Sequence, residues 1–254
     1  MYRFTRFLGR LAASIAVIAA IASQAFAQDD LPQLIRQART TSAQGNYQQA
    51  VEFLNQAITS NGSSPSLFRM RGQENFKAGN IDASIDDFDR VADLAPNLEK
   101  TLWERGISHY YAGRFDDGAK QFELYQTYHD ADVENAAWRY LCVARADGAE
   151  KARDSILPIE GDRRIPMMKI YAMFKSDATP EDVMAKAKAG EPGEAELNQR
   201  LFYAHLYIGL FYEVSDKPEL AKQHIAAAVK HPIGHYMHDV ARVHLARLEK
   251  AEKP

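Results

Sequence analysis

The sequence predicts an all-α chain: a solenoid of antiparallel helix pairs with an irregular helical insert and a C-terminal capping helix. Three observations carry this. Between Leu31 and Asp132 the same residue classes return every 34 positions. Glycines fall within that period where helices must end. No stretch alternates apolar and polar residues over strand length with turn signals at both ends.

Numbering the repeats from Leu31, Pro65 and Glu99 fixes the phase. The eighth positions are Ala38, Gly72 and Gly106, and the twentieth are Ala50, Ser84 and Gly118. Small residues there let the two helices of a pair approach closely. Large apolar residues fill the space beside them, at the fourth positions (Leu34, Phe68, Leu102) and the twenty-fourth (Leu54, Phe88, Phe122). Gly45, Gly79 and Gly113 at position fifteen supply the left-handed residue that ends the first helix. Pro96 stops the second helix of the second repeat. This combination matches the pattern of tetratricopeptide repeats (TPR), with repeats near 31–64, 65–98 and 99–132.

Residues 133–157 read as a degenerate fourth pair, with a turn at Asp147-Gly148 and Ala152 at the twentieth position. Pro158 and Pro166 break the phase around the loop Gly161-Asp162-Arg163-Arg164 and begin a helical insert over 158–197. A short apolar helix is predicted over Met167–Phe174. A second begins at Thr179-Pro180-Glu181-Asp182, with threonine as cap, proline at the first helical position and an acid at the third. The template returns in 198–254. Counted from Phe202, Gly209 is at 8, Ala221 at 20 and Ile225 at 24. Tyr236 to Ala251 is a closing helix with an apolar stripe and a polar face, as an open solenoid end requires.

Residues 1–27 read as a signal peptide. Arg3, Arg6 and Arg10 precede a short apolar run, and Ala25-Phe26-Ala27 is an A-x-A cleavage site. The expected location is therefore periplasmic or secreted, with cleavage after Ala27. Gln28 stands where a lipoprotein would carry cysteine, so no lipid anchor is expected. Without the three arginines the chain has 28 basic and 34 acidic residues, a net charge of −6. That balance argues against a nucleic-acid partner, which requires a basic footprint.

A solenoid of this type binds on the concave wall lined by its first helices. Positions 2, 5, 9, 12 and 13 point there in the repeat geometry. They include Arg39 from the first repeat, and Arg69, Gln73, Phe76 and Lys77 from the second. The third contributes Lys100, Trp103, Ile107, Tyr110 and Tyr111. Arginine and aromatic residues are the anchors that dominate peptide binding. The expected partner is a protein or peptide, with an acidic or carboxylate-bearing segment as the natural guest.

Other clusters carry less. His231, His235, His238 and His244 fall close together, but Pro232 and Gly234 break their spacing, and they read as a polar helix start. Asp82, Asp86, Asp87, Asp89 and Asp93 read as a solvated convex face. Cys142, the single cysteine, reads as a buried small hydrophobe, with a thiol activated by Arg139 and Arg145 as the sharper alternative. There is no G-x-S-x-G, H-E-x-x-H or phosphate loop, so no enzyme activity, metal or cofactor is expected.

Three segments go beyond a generic repeat. They are Arg105-Gly106-Ile107-Ser108-His109-Tyr110-Tyr111-Ala112-Gly113-Arg114, Trp138-Arg139-Tyr140-Leu141 with Ala144-Arg145, and Leu201 through Tyr212. Their order and spacing resemble the outer-membrane TPR lipoprotein of enterobacteria, new lipoprotein I, and its wider family. The resemblance implies a homodimeric, all-helical adaptor that brings a murein hydrolase together with a periplasmic protease. The missing anchor cysteine is a departure from that family. The alternative reading is an envelope assembly factor of chaperone type, with broad, weak binding of clients.

Overall fold

The computed structural model describes residues 31–62 and 64–251. The expected signal peptide lies outside the described residues. Among those residues every regular element is helical. Helices α1 (Leu31–Ala43) and α2 (Tyr47–Asn61) form the first pair, and α3 (Pro65–Ala78) and α4 (Ile81–Leu94) the second. A 3-10 segment, Pro96–Thr101, leads into α5 (Trp103–Tyr111) and α6 (Phe115–Gln126). Next come α7 (Val133–Asp147) and a one-turn-and-a-half α8 (Ala149–Asp154). The insert holds α9 (Met167–Phe174) and α10 (Pro180–Lys188). The chain ends with α11 (Glu194–Glu213), α12 (Pro218–Val229) and α13 (Tyr236–Ala251). No described helix is long and apolar enough to cross a membrane.

The small residues at position eight sit at the helix crossings. A Cβ added to Gly106 would lie 2.7 Å from the Phe122 ring, and one added to Gly209 would lie 2.8 Å from Ile225. Each glycine therefore admits the large residue at position twenty-four of its own repeat. The turn glycines Gly45, Gly79 and Gly113 have φ of 80°, 84° and 74°, the left-handed region that L side chains avoid.

A second repeating device is polar. Arg71, Arg105 and Arg139 stand 34 residues apart. Each reaches sixteen residues forward within its own pair, to Asp87, Gln121 and Ser155 respectively. Each also reaches sixteen residues back into the preceding pair, to Asn55, Asp89 and Glu123. One planar guanidinium, with donors on both edges, thus ties two helices to a third at every junction. This overturns part of the solvated-face expectation for α4. Asp82, Asp86 and Asp93 are exposed, but Asp87 is buried on Arg71 and on Asn75 Nδ2 (2.9 Å).

The insert is a packed layer. Met167, Ile170, Met173 and Phe174 of α9 are buried, and the Phe174 ring meets those of Tyr140 on α7 (4.9 Å) and Phe211 on α11 (5.6 Å). Helix α10 opens with a capping box between Thr179 and Asp182, as its sequence specifies. The closing helix α13 packs on α12 and turns back onto the first helix of the second pair, and its His244 reaches Tyr111 of the third. Its buried residues Met237, Val240 and Ala241 join the core that begins at Phe76. The first pair, with Leu67 of α3, keeps a separate small core of Ala38, Ala50, Leu54 and Ala57.

Candidate functional site

That return of α13 decides what the concave wall presents. Phe76 is fully buried, with its ring 5.1 Å from that of Tyr111 and 5.6 Å from that of Tyr236. Tyr111 is sealed under α13, and its hydroxyl lies 2.9 Å from His244 Nδ1. Tyr110 is buried and donates to Glu213 at the end of α11 (2.9 Å), and Ile107 is buried as well. Phe76, Ile107, Tyr110 and Tyr111, expected to line an open groove, are core residues. The chain's own last helix covers Phe76 and Tyr111, whereas Tyr110 packs against Phe115 and Trp138.

The basic residues divide differently. Arg69 is a structural cation, placing Nη2 2.9 Å from both oxygens of the buried Glu104 carboxylate. Gln73 donates to the same carboxylate (2.9 Å). Lys77 is held by Glu74 at 2.7 Å and stands 3.9 Å from Asp239 of α13. Lys100 falls in the 3-10 segment created by Pro96, off the concave face, and sits over the exposed Tyr128 ring (5.7 Å). Arg39 is exposed on α1.

What stays open is a cleft between the first helices of pairs one and two and the segment 233–239. Arg39, Ser42, Met70, Gln73 and Lys77 form one side of its mouth. His235, Tyr236, His238 and Asp239 form the other. Trp103 is half-buried, stacked on His235 (centroids 6.1 Å apart) and edge-on to Tyr236. Beyond this stack lies an inner pocket of about 130 Å³, walled by Trp103, Tyr125, Asn135, Trp138, Glu134 and Arg164. Of the residues selected from sequence, the structure brings Arg39, Gln73 and Lys77 to one cleft and places Trp103 on the inner pocket.

The inner pocket was not legible from the repeat template. Asp132 caps α7 by accepting from Glu134 N (3.1 Å). The loop 158–166 then carries Arg164 over that helix end. There Arg164 donates to Glu134 (2.5 Å), Asp132 (2.7 Å) and Asp162 (2.6 Å). Glu134 also accepts from Tyr207 of α11 (2.7 Å). Burial, followed by the charge of Asp132, raises the Glu134 carboxyl to about 7, and Arg164 and Tyr207 only partly offset this. The sequence did hold a signal here: two acids at a helix start ahead of a tryptophan, and an Asp-Arg-Arg loop with no partner of its own.

The four histidines near the C-terminus scatter to different neighbours. His231 bonds Asn198 (3.0 Å), His235 stacks on Trp103, His238 Nε2 lies 3.1 Å from the Val229 carbonyl, and His244 meets Tyr111. Cys142 is buried against Gly118, and burial raises its thiol well above the ordinary range, outweighing Arg139. The activated-thiol alternative is thereby removed.

No family model matches the sequence. A tetratricopeptide repeat protein from Parabacteroides merdae superposes with a TM-score of 0.52, over 98% of this chain and 95% of that one, at 14% identity. The chain folds as a TPR solenoid. MamA (residues 41 to the end) from Desulfovibrio magneticus is similar over 89% of this chain and 98% of its own, at 14% identity and a TM-score of 0.49. YrrB, described as a TPR protein with an unusual peptide-binding site, is similar over 82% and 89%, at 13% identity and a TM-score of 0.44. At these identities the likeness concerns fold. In this TPR solenoid the closing helix lies against the first helices of the second and third pairs.

Proposed function

We propose that this chain is a non-catalytic periplasmic scaffold that holds a protein or peptide partner in the cleft between α1, α3 and the start of α13. One observation carries the reading: after α13 has covered Phe76 and Tyr111 of the concave wall, a cleft remains with Arg39, Gln73 and Lys77 on its surface and Trp103 behind His235 at the inner pocket. The TPR solenoid supports a polypeptide partner, because the first helices of such an array present a preformed wall that loses little entropy on binding. The signal-peptide pattern of residues 1–27 supports the periplasm. The segments around Arg105, Trp138 and Phe202 that resemble new lipoprotein I support an adaptor of murein enzymes, working as a homodimer.

The test places a photo-crosslinking residue at Arg39 in the cleft, and separately at Asp86 on the exposed face of α4, in the full chain. Exposed to a cell-envelope extract, the Arg39 probe is expected to capture a discrete polypeptide that the Asp86 probe does not. A murein hydrolase or protease among the adducts would support the finer reading. Equal labelling at both positions would reject the cleft. Sedimentation of the processed chain checks the dimer.

A further inference from the structure

Two residues that line the inner pocket, three positions apart on α7, each carry a buried polar atom without a partner. Asn135 Oδ1 needs a donor and Trp138 Nε1 needs an acceptor, and both residues line the pocket at 3% and 2% exposure. Asn135 cannot flip to relieve this. Its Nδ2 is committed to the Phe122 carbonyl (3.1 Å) and to Gln126 Oε1 (2.9 Å). Unmet polar atoms at this depth are rare in native proteins and call for a guest or ordered water.

The charge of the pocket selects among guests. Three carboxylates, Asp132, Glu134 and Asp162, converge on the single guanidinium of Arg164. The surplus is negative, so an anion would be repelled and a cation drawn in. Trp103, Tyr125 and Trp138 add aromatic walls that favour a cation. The volume of about 130 Å³ is comparable to a cavity that accepts one benzene, and so suits a single small residue.

We propose that this pocket receives the free α-ammonium of a partner polypeptide together with the adjoining carbonyl. The ammonium donates to Asn135 Oδ1 beside the carboxylates, and the carbonyl accepts from Trp138 Nε1–H. This deepens the cleft reading above and rests on it. It also reverses the sequence-based expectation of an acidic or carboxylate-bearing guest, because Arg69 and Lys77 are already neutralised by Glu104 and Glu74. An ammonium beside Glu134 would drive its residual proton off, so binding near neutral pH is accompanied by proton release.

The two tryptophans of the chain both line this pocket, so intrinsic fluorescence reports on it directly. The full chain is titrated with Ala-Ala-amide, with its N-acetylated form, and with Nα-acetyl-lysine amide, which carries an ammonium far from its carbonyl. Saturable change with Ala-Ala-amide, and at least about tenfold weaker response to the other two, is the expected result. Glu134→Gln and Trp138→Phe, the latter retaining Trp103 as reporter, should each weaken that binding by about tenfold. Equal response to the acetylated peptide, unchanged affinity in both variants, or no response up to about 10 mM would overturn the proposal, the last meaning that water alone fills the pocket. Capture at Arg39 without amine binding would sink this inference alone. Amine binding without capture would sink the scaffold reading alone.

Discussion

Tyr111 and His244, 133 positions apart in sequence, meet with the phenol oxygen 2.9 Å from imidazole Nδ1, both residues buried. Burial lowers the imidazole pKa despite the nearby Glu213, so the ring is neutral and has one donor and one acceptor. The Tyr111 hydroxyl also lies 3.5 Å from the Val240 carbonyl of the same helix, and His244 Nε2 stands 3.4 Å from Glu213 Oε2 without a hydrogen bond. This contact fixes the closing helix to the third repeat.

Removing the hydroxyl should therefore loosen the lid. Tyr111→Phe leaves His244 Nδ1 buried without its partner and is expected to cost about 1–3 kcal/mol. His244→Leu should cost a similar amount. The double variant should lose less than the sum of the two by about 1 kcal/mol, which urea unfolding of the four proteins measures.

Arg69 and Lys100, chosen together as groove cations, should separate sharply. Arg69→Ala leaves the buried Glu104 carboxylate with only Gln73, and is expected to destabilise by about 3 kcal/mol or more. Lys100→Ala, on an exposed side chain, should change stability by less than about 0.5 kcal/mol. Similar urea midpoints for the two variants would refute this division.

The crossing glycines make a steric prediction. Gly106→Ala puts a methyl 2.7 Å from the Phe122 ring and should cost about 1–3 kcal/mol through forced repacking. Gly161→Ala meets nothing within 4 Å and should be near neutral. Thermal melts at one pH compare them.

Glu134 sets a pH dependence. Its folded pKa of about 7 exceeds its ordinary value of 4.5. The folded chain therefore keeps a proton that the unfolded chain releases over that interval. The associated stability is present below pH 4.5 and is lost as pH rises through 7, with a ceiling of roughly 3 kcal/mol. His109 and His205, both lowered to about 4 by burial, contribute the opposite slope between 6.5 and 4. They are common to native protein and Glu134→Gln, so the difference between their stabilities from pH 5 to 8 isolates Glu134. That difference should change with pH, and a flat one would show that Glu134 is ionised throughout.

Cys142 should be inert. Its buried thiol is expected to resist an aromatic disulfide reagent in the native chain and to react fully in denaturant. Prompt native reaction would place it at the surface.

The sequence by itself determined the repeat. The spacing of Gly72, Gly106 and Gly209 to Phe88, Phe122 and Ile225 is local, within one helix pair, and local sterics leave one way to satisfy it. The turn glycines and the Thr179 cap were legible for the same reason, and the Arg71, Arg105 and Arg139 clamp was present in the same period, although a template of small and apolar positions does not look for it. What only the tertiary structure decided was the fate of the concave wall. Phe76, Tyr110 and Tyr111 carry the same aromatic pattern whether they face a partner or the chain's own last helix, because hydrophobic burial is non-directional and does not name its cover. The destination of α13 depends on how far the insert turns the chain, and so do the meeting of Arg164 with Asp132 and Glu134 and the inner pocket beside them. That angle is the sum of many side-chain contacts between elements remote in sequence, and no periodicity records it.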